Sequence, residues 1–215
     1  DPSEPVARAL VTHGHADHAR GGHGQVWATP ETLAIMATRY GPQNGVPVAY
    51  GESVRMGDYD IAFVPAGHVL GSAQIVLDHG GERVVVSGDY KRRADPTCAP
   101  FQPVPCDVFV TEATFGLPVF RHPETTEELA KIDAALLAEP DRCVLVGAYA
   151  LGKAQRVIRE LRDMGHGHPI YLHGALQKLC DLYVEHGVDL GDLRPAMEAS
   201  KDELLQFYKD MLLIR

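Results

Sequence analysis

His13-Gly14-His15-Ala16-Asp17-His18 places three imidazoles and one carboxylate within six consecutive residues. Ala9-Leu10-Val11-Thr12 runs into it, and the small, flexible Ala19-Arg20-Gly21-Gly22 follows. That pattern predicts a buried strand ending in a loop that carries ligands. In extended chain alternate residues share a face, so His13 and His15 point the same way and can pinch one cation. Asp17 and His18 come where the chain turns and can reach a second ion. Neutral imidazole with carboxylate is the ligand set of zinc, and of manganese or iron where oxygen donors dominate. The chain has 11 His in 215 residues, so the competing reading is an accidental surface cluster.

Further along, Ala66-Gly67-His68-Val69-Leu70-Gly71-Ser72 sets a histidine in a glycine-flanked loop after a strand. Alone it would be a turn histidine; beside the first cluster it becomes a candidate ligand. Ser87-Gly88-Asp89 puts a carboxylate just after the apolar Val84-Val85-Val86, where it can bridge two cations or simply form a turn. Val108-Phe109-Val110-Thr111-Glu112 reads as another strand delivering an acid at its end. Strand ends are where sites collect in sheets of this kind.

Between these points the chain alternates short elements. Thr29-Pro30-Glu31 starts a helix, with Thr29 as N-cap and Pro30 in the first position. Strands are expected at 46–49, 53–55, 59–65, 73–78 and 83–87, separated by turns such as His79-Gly80-Gly81. After Gly116 the pattern changes to helix 126–138 (Leu129, Ile132 and Leu136 inward), buried strand 143–146, helix 153–162, strand 170–172 and a helix lined by Leu176, Leu179, Cys180 and Tyr183. Strand alternating with helix predicts a parallel sheet, with a boundary near residue 118.

Composition sets bounds. Hydrophobic residues are 45% and charged residues 23%, values of an ordinary globular protein. No apolar run approaches the length of a membrane span. Asp1-Pro2-Ser3-Glu4 is not a signal peptide, and the absence of an initial Met leads us to expect a missing N-terminal portion. Cys98, Cys106, Cys143 and Cys180 form no C-x-x-C pair, which disfavours a zinc ribbon and fits a reducing cytoplasm. A net charge of -9 runs against the usual basic surface of a nucleic-acid binder, although bound cations would offset part of it locally.

The order His13-x-His15-x-Asp17-His18, His68, Asp89, Glu112 resembles the metallo-β-lactamase superfamily in its nucleic-acid-cutting β-CASP branch. Thr111-Glu112-Ala113-Thr114-Phe115-Gly116 resembles the first motif of that branch. Tyr149-Ala150-Leu151-Gly152-Lys153-Ala154-Gln155 resembles the start of its inserted α/β domain. Ser87–Arg92, Asp95–Phe101 and Phe115–Arg121 are similar to bacterial ligase-associated DNA exonucleases, relatives of the nuclease subunit of messenger-RNA 3′-end processing. The resemblance covers about residues 1–196. It implies an α/β (α+β) fold, the metallo-β-lactamase αββα sandwich in its N-terminal half only (1–118), followed by part of a β-CASP domain (119–196).

The resemblance also implies roles. His13, His15 and His68 would hold the first divalent metal, Asp17 and His18 the second, and Asp89 would bridge. Zinc is the expected ion and manganese the alternative. Asp1 falls where the family has an aspartate supporting the His motif, and Glu112 would orient a histidine from outside this segment. The implied activity is two-metal phosphodiester hydrolysis, with DNA ahead of RNA as substrate and a DNA ligase and helicase as partners; no membrane is involved. Lys91, Arg92 and Arg93 are either phosphate contacts or a solvated charge run. Gly152-Lys153 could bind phosphate at a helix start. His23, His122, His166, His168, His173 and His186 read as structural or exposed, with His173 the best exception.

The family continues with two more histidines that have no counterpart after His186, so a truncated, inactive fragment is a further reading. Ser200-Lys201-Asp202-Glu203 is a capping box opening an amphipathic helix within 197–215. That segment is similar to the start of a pyruvate-dehydrogenase-type alpha subunit, from which no function is carried, and suggests a junction near 196–200. With half a sandwich uncovered, the chain is expected to be poorly soluble or dimeric.

Overall fold

A computed structural model describes residues 4–140, 142–198 and 202. They form two compact units that divide between Gly116 and Leu117.

The first unit begins with three short parallel strands in the order β1 (Arg8–Leu10), β2 (Gln25–Ala28) and β3 (Gly45–Pro47). Helix α1 (Pro30–Tyr40) lies between β2 and β3 in the chain. Its start is capped by Thr29, whose hydroxyl oxygen accepts a hydrogen bond from Thr32 N–H. A five-stranded sheet follows in the order β4 (Ser53–Met56), β5 (Tyr59–Pro65), β6 (Ala73–His79), β7 (Glu82–Val86) and β8 (Val108–Val110). Its pairs are antiparallel except β7 with β8.

Alternation along the strands builds two cores. Val26 and Ala28 point to one face of the parallel sheet, where they pack with Val11, Ala19, Leu33 and Met36 under α1. Leu10 and Trp27 point to the other face and join Val48, Ile61, Phe63, Ala73 and Ile75 between the two sheets. The parallel sheet is thus a middle layer, covered by a helix on one side and by the larger sheet on the other. That layering brings the ends of β1, β5 and β7 together.

The second unit holds α2 (Thr125–Ala138), α3 (Lys153–Asp163), β9 (Ile170–Leu172), α4 (Gly174–Glu185) and β10 (Leu193–Pro195). β9 and β10 pair in parallel across α4. Three expectations change. Residues 143–146 form no strand, and Leu145 and Val146 are 38% and 50% exposed. Among the described residues β9 pairs with β10 alone, so this apolar run has no strand beside it to satisfy its backbone. In α2 Leu129 is buried, whereas Ile132 and Leu136 are half-buried. The strand running toward Glu112 ends at Val110. Asp1 and the helix expected from Ser200 onward lie outside the described residues, Asp202 apart. No helix among the described residues is long and apolar enough to cross a membrane.

Candidate metal centre

Each loop that enters the centre is fastened to its neighbours by backbone hydrogen bonds. Beyond β1 the chain stays extended: Val11 N–H donates to Trp27 O (3.0 Å), and Thr12 O accepts from Ala73 N–H (2.8 Å). His13 is therefore held between the two sheets and is fully buried. His15 O then accepts from His18 N–H (3.0 Å) and Ala19 N–H (2.9 Å), which closes a turn and brings His18 back toward His13. Helix α1 sets the height of this loop. Arg39 donates to Gly14 O (2.7 Å), and a Cβ on Gly14 would lie 2.5 Å from Ile35 Cγ2, so no larger residue fits between the two histidines.

His68 sits in a tight turn. Ala66 N–H donates to Ser72 O (3.0 Å), and Ser72 Oγ accepts from both His68 N–H (3.0 Å) and Val69 N–H (3.1 Å). Asp89 follows β7 after Gly88, whose φ of +55° favours glycine and whose missing Cβ would stand 2.7 Å from Thr12 Cβ. Lys91 N–H donates to Ala66 O (2.9 Å), tying the Asp89 loop to the His68 loop.

These loops bring ligand atoms of His13, His15, His68 and Asp89 within 4.8 Å of one another. His15 Nδ1 lies 3.0 Å from His13 Nε2 and 3.2 Å from His68 Nε2. Asp89 Oδ2 is 3.8 Å from His13 Nε2 and 3.5 Å from His68 Nε2, while its Oδ1 is 3.3 Å from His18 Nε2. Three imidazole nitrogens thus converge on one point, where their lone pairs can be shared with a cation. A cation at tetrahedral ligand distances of about 2.0–2.1 Å would place its donors about 3.3–3.4 Å apart, close to these separations. The donor set fits a divalent ion.

Charge favours the same state. Burial, reinforced by His68, His18 and His15, pushes His13 down to about 2. Burial and His15 push His68 down to about 4, against the opposing pull of Asp89. Both rings are neutral at neutral pH and offer lone pairs. Thr12 Oγ1 lies 3.1 Å from His13 Nδ1; a ring proton donated there leaves Nε2 as the lone-pair nitrogen.

No protein-family model matches the chain. It is 29% identical over 194 residues to a protein of Opitutus terrae named "Probable DNA ligase", a match covering 87% of this chain and 19% of the relative. It is 32% identical over 208 residues to ribonuclease TTHA0252 of Thermus thermophilus, covering 82% of this chain and 48% of that one. This chain belongs to the β-CASP branch of the metallo-β-lactamase superfamily. The β-CASP chain spans less than half the length of either relative. A crystal structure of a protein of unknown function from Enterococcus faecalis V583 shares the fold, with a TM-score of 0.58 over 90% of this chain and 52% of the other, at 12% identity.

Other residues singled out in this β-CASP sequence lie as follows. Asp17 is exposed, with Oδ2 3.7 Å from His18 Nε2. Glu112 is half-buried beyond β8, and its carboxylate accepts from Thr114 N–H (2.7 Å). Lys91 Nζ lies 2.9 Å from Asp95 Oδ2, and Arg92 is exposed. In the second unit Lys153 is exposed and stands 5.4 Å over the Tyr149 ring. At the start of α3, Gly152 N–H donates to Gln155 Oε1 (2.8 Å) and Ala154 N–H to Tyr149 O (3.1 Å). His173 caps α4, its Nδ1 accepting from Ala175 N–H (3.2 Å).

Sequence reading passed over Thr12, Ser72, Arg39 and Asp95. Thr12 and Ser72 adjoin the ligand-bearing segments, and a hydroxyl beside such a segment is a signal that could have been used. Arg39 gives none, since its role depends on how α1 packs.

Proposed function

We propose that this chain carries the metal-binding portion of a two-metal phosphodiester hydrolase acting on nucleic acid. The observation that carries this reading is the Asp89 carboxylate, with one oxygen toward His13 and His68 and the other toward His18. In this reading His13, His15 and His68 hold one ion, Asp17 and His18 contribute to a second, and Asp89 serves both. Zinc suits the imidazole-rich first set, with manganese as the alternative. Residues 1–118 belong to an αββα sandwich and 119–196 to a β-CASP domain.

A pair of such ions supplies positive charge for phosphoryl oxygens and makes water acidic enough to attack near neutral pH. The chain's own residues prepare that chemistry. His13 and His68 stay unprotonated through burial, and Thr12 fixes the His13 ring. Glu112 orients a proton-donating histidine supplied from elsewhere. Arg92 and Lys153 are the proposed phosphate contacts, whereas Lys91, expected with them, is engaged by Asp95.

DNA is the proposed substrate, in a cytoplasmic setting coupled to a ligase and a helicase; the relative named as a DNA ligase supports the first of these partners. RNA is the second reading, favoured by the relative named as a ribonuclease. Elemental analysis of the purified chain, followed by cleavage assays on single- and double-stranded DNA and on RNA, tests both. Two equivalents of metal, with cleavage lost by about a thousandfold in Asp89→Asn, is the expected result. One equivalent or none, or cleavage that survives Asp89→Asn, overturns the two-metal reading; no cleavage of any of these substrates by the wild-type chain leaves the reading of an inactive fragment.

A further inference from the structure

Lys91 comes two residues after Asp89 and is fixed at three points. Its N–H donates to Ala66 O (2.9 Å). Its carbonyl oxygen lies where a Cβ on Gly67 would stand only 2.5 Å away, so it packs directly on the residue before His68. Its ammonium lies 2.9 Å from Asp95 Oδ2. Asp95 is itself fully engaged: its side chain is 5% exposed, and Oδ1 accepts from Thr97 N–H (3.0 Å) and Thr97 Oγ–H (2.7 Å). The adjacent Arg92 and Arg93 are both exposed. One cation of the Lys91-Arg92-Arg93 run is thus drawn inward onto a buried carboxylate.

We propose that the Lys91–Asp95 ion pair is a positioning element that clamps the Asp89 loop onto the His68 loop and so sets the affinity of the centre for a divalent ion. The proposal rests on the reading of His13, His15, His68 and Asp89 as metal ligands. Its physical basis is that Asp89 Oδ2 and His68 Nε2 stand 3.5 Å apart on two different loops. Their spacing is held by the Lys91–Ala66 hydrogen bond and by the packing of Lys91 on Gly67. The buried Asp95 keeps the Lys91 backbone in register for both contacts. Removing either charge leaves the other partly buried and unpaired, so the loop must rearrange to solvate it. Groups that orient metal ligands through one intermediate typically change affinity by 10–100-fold when lost.

The test is titration of the metal-free chain with Co²⁺, followed by visible absorption, for the wild type and for Lys91→Met, Asp95→Asn, their double variant and His68→Ala. Lys91→Met and Asp95→Asn should each weaken Co²⁺ binding by about 10–100-fold and alter the ligand-field bands. The double variant should be no weaker than the worse single one, since the two act as a unit. Lys91→Arg should restore part of the loss. Wild-type affinity and spectrum in Lys91→Met, with binding abolished in His68→Ala, overturns the proposal alone. Unchanged binding in His68→Ala overturns the site reading and the proposal together. If Lys91→Met does not fold, Thr97→Val loosens Asp95 without unpairing a charge; it should weaken Co²⁺ by at least about threefold, and unchanged binding overturns the proposal.

Discussion

Thr12 makes a narrow contribution that can be isolated. Its hydroxyl lies 3.1 Å from Nδ1 of the fully buried His13. Thr12→Val keeps the shape and removes the partner, so zinc affinity should fall about tenfold or more, read by competition with a chelating dye. Proton linkage is the second residue-level consequence. His13 and His68 are held at about 2 and about 4, below the ordinary imidazole value of 6.5. The unfolded chain therefore takes up protons at higher pH than the folded chain does. Stability of the metal-free protein is complete above about pH 6.5 and falls as pH drops toward 4, by about 1 kcal/mol per pH unit for each ring. Urea denaturation in chelator at pH 7 and pH 4.5 measures this, and His68→Ala should flatten the slope. The spacing of His13 and His15 suggests a pair, although Gly14 and His15 lie in a bend beyond β1 and not on one face of an extended chain. The approach of His68 and Asp89 cannot be read from spacing, because it depends on the Ser72 turn and on how closely Gly88 allows the chain to pass Thr12. Lys91 shows the same gap: a charge run in sequence gives no hint that one member faces inward.

At the level of elements, α1 both covers a core and holds the site. Thr29 and Thr32 hydroxyls lie 2.7 and 2.9 Å from Gly71 O, in the turn that carries His68, while Arg39 at the other end holds Gly14 O. Thr29→Ala should cost about 1–2 kcal/mol, seen as a lower thermal midpoint, because it removes a helix cap and a buried tie to the His68 turn together. This helix start is legible in Thr29-Pro30-Glu31, and β5 and β6 are legible as short apolar runs, Ile61–Val64 and Ile75–Leu77, bounded by turn residues. Residues 143–146 show where that logic ends. Cys143-Val144-Leu145-Val146 has strand composition, but a strand exists only where a neighbour pairs with it, and no local pattern reports the neighbour. The inward face of α2 shows the same limit: Leu129 finds a core, while Ile132 and Leu136 find only partial cover.

For the whole molecule, the far edge of the larger sheet presents a run of exposed apolar side chains. Val108, Phe109 and Val110 of β8 are 49%, 44% and 51% exposed, and among the described residues β8 pairs with β7 alone. An apolar edge strand is a template for further pairing. Sedimentation velocity on the 215-residue chain should show concentration-dependent self-association, and Val108→Lys with Val110→Lys should shift it toward monomer. The layered arrangement has one more consequence, which concerns the denatured ensemble. His15 and His68 are 53 positions apart in the chain and belong to loops from different sheets. An ion gripping both would act as a cross-link, closing a long loop and stripping chain entropy from the unfolded protein. A covalent bridge closing a loop of that length contributes roughly 4 kcal/mol, and a coordinate bond that survives partial unfolding would approach the same limit. The metal would then be a staple for the two sheets as much as a reagent, and a chelator would lower the melting temperature before any question of activity arises.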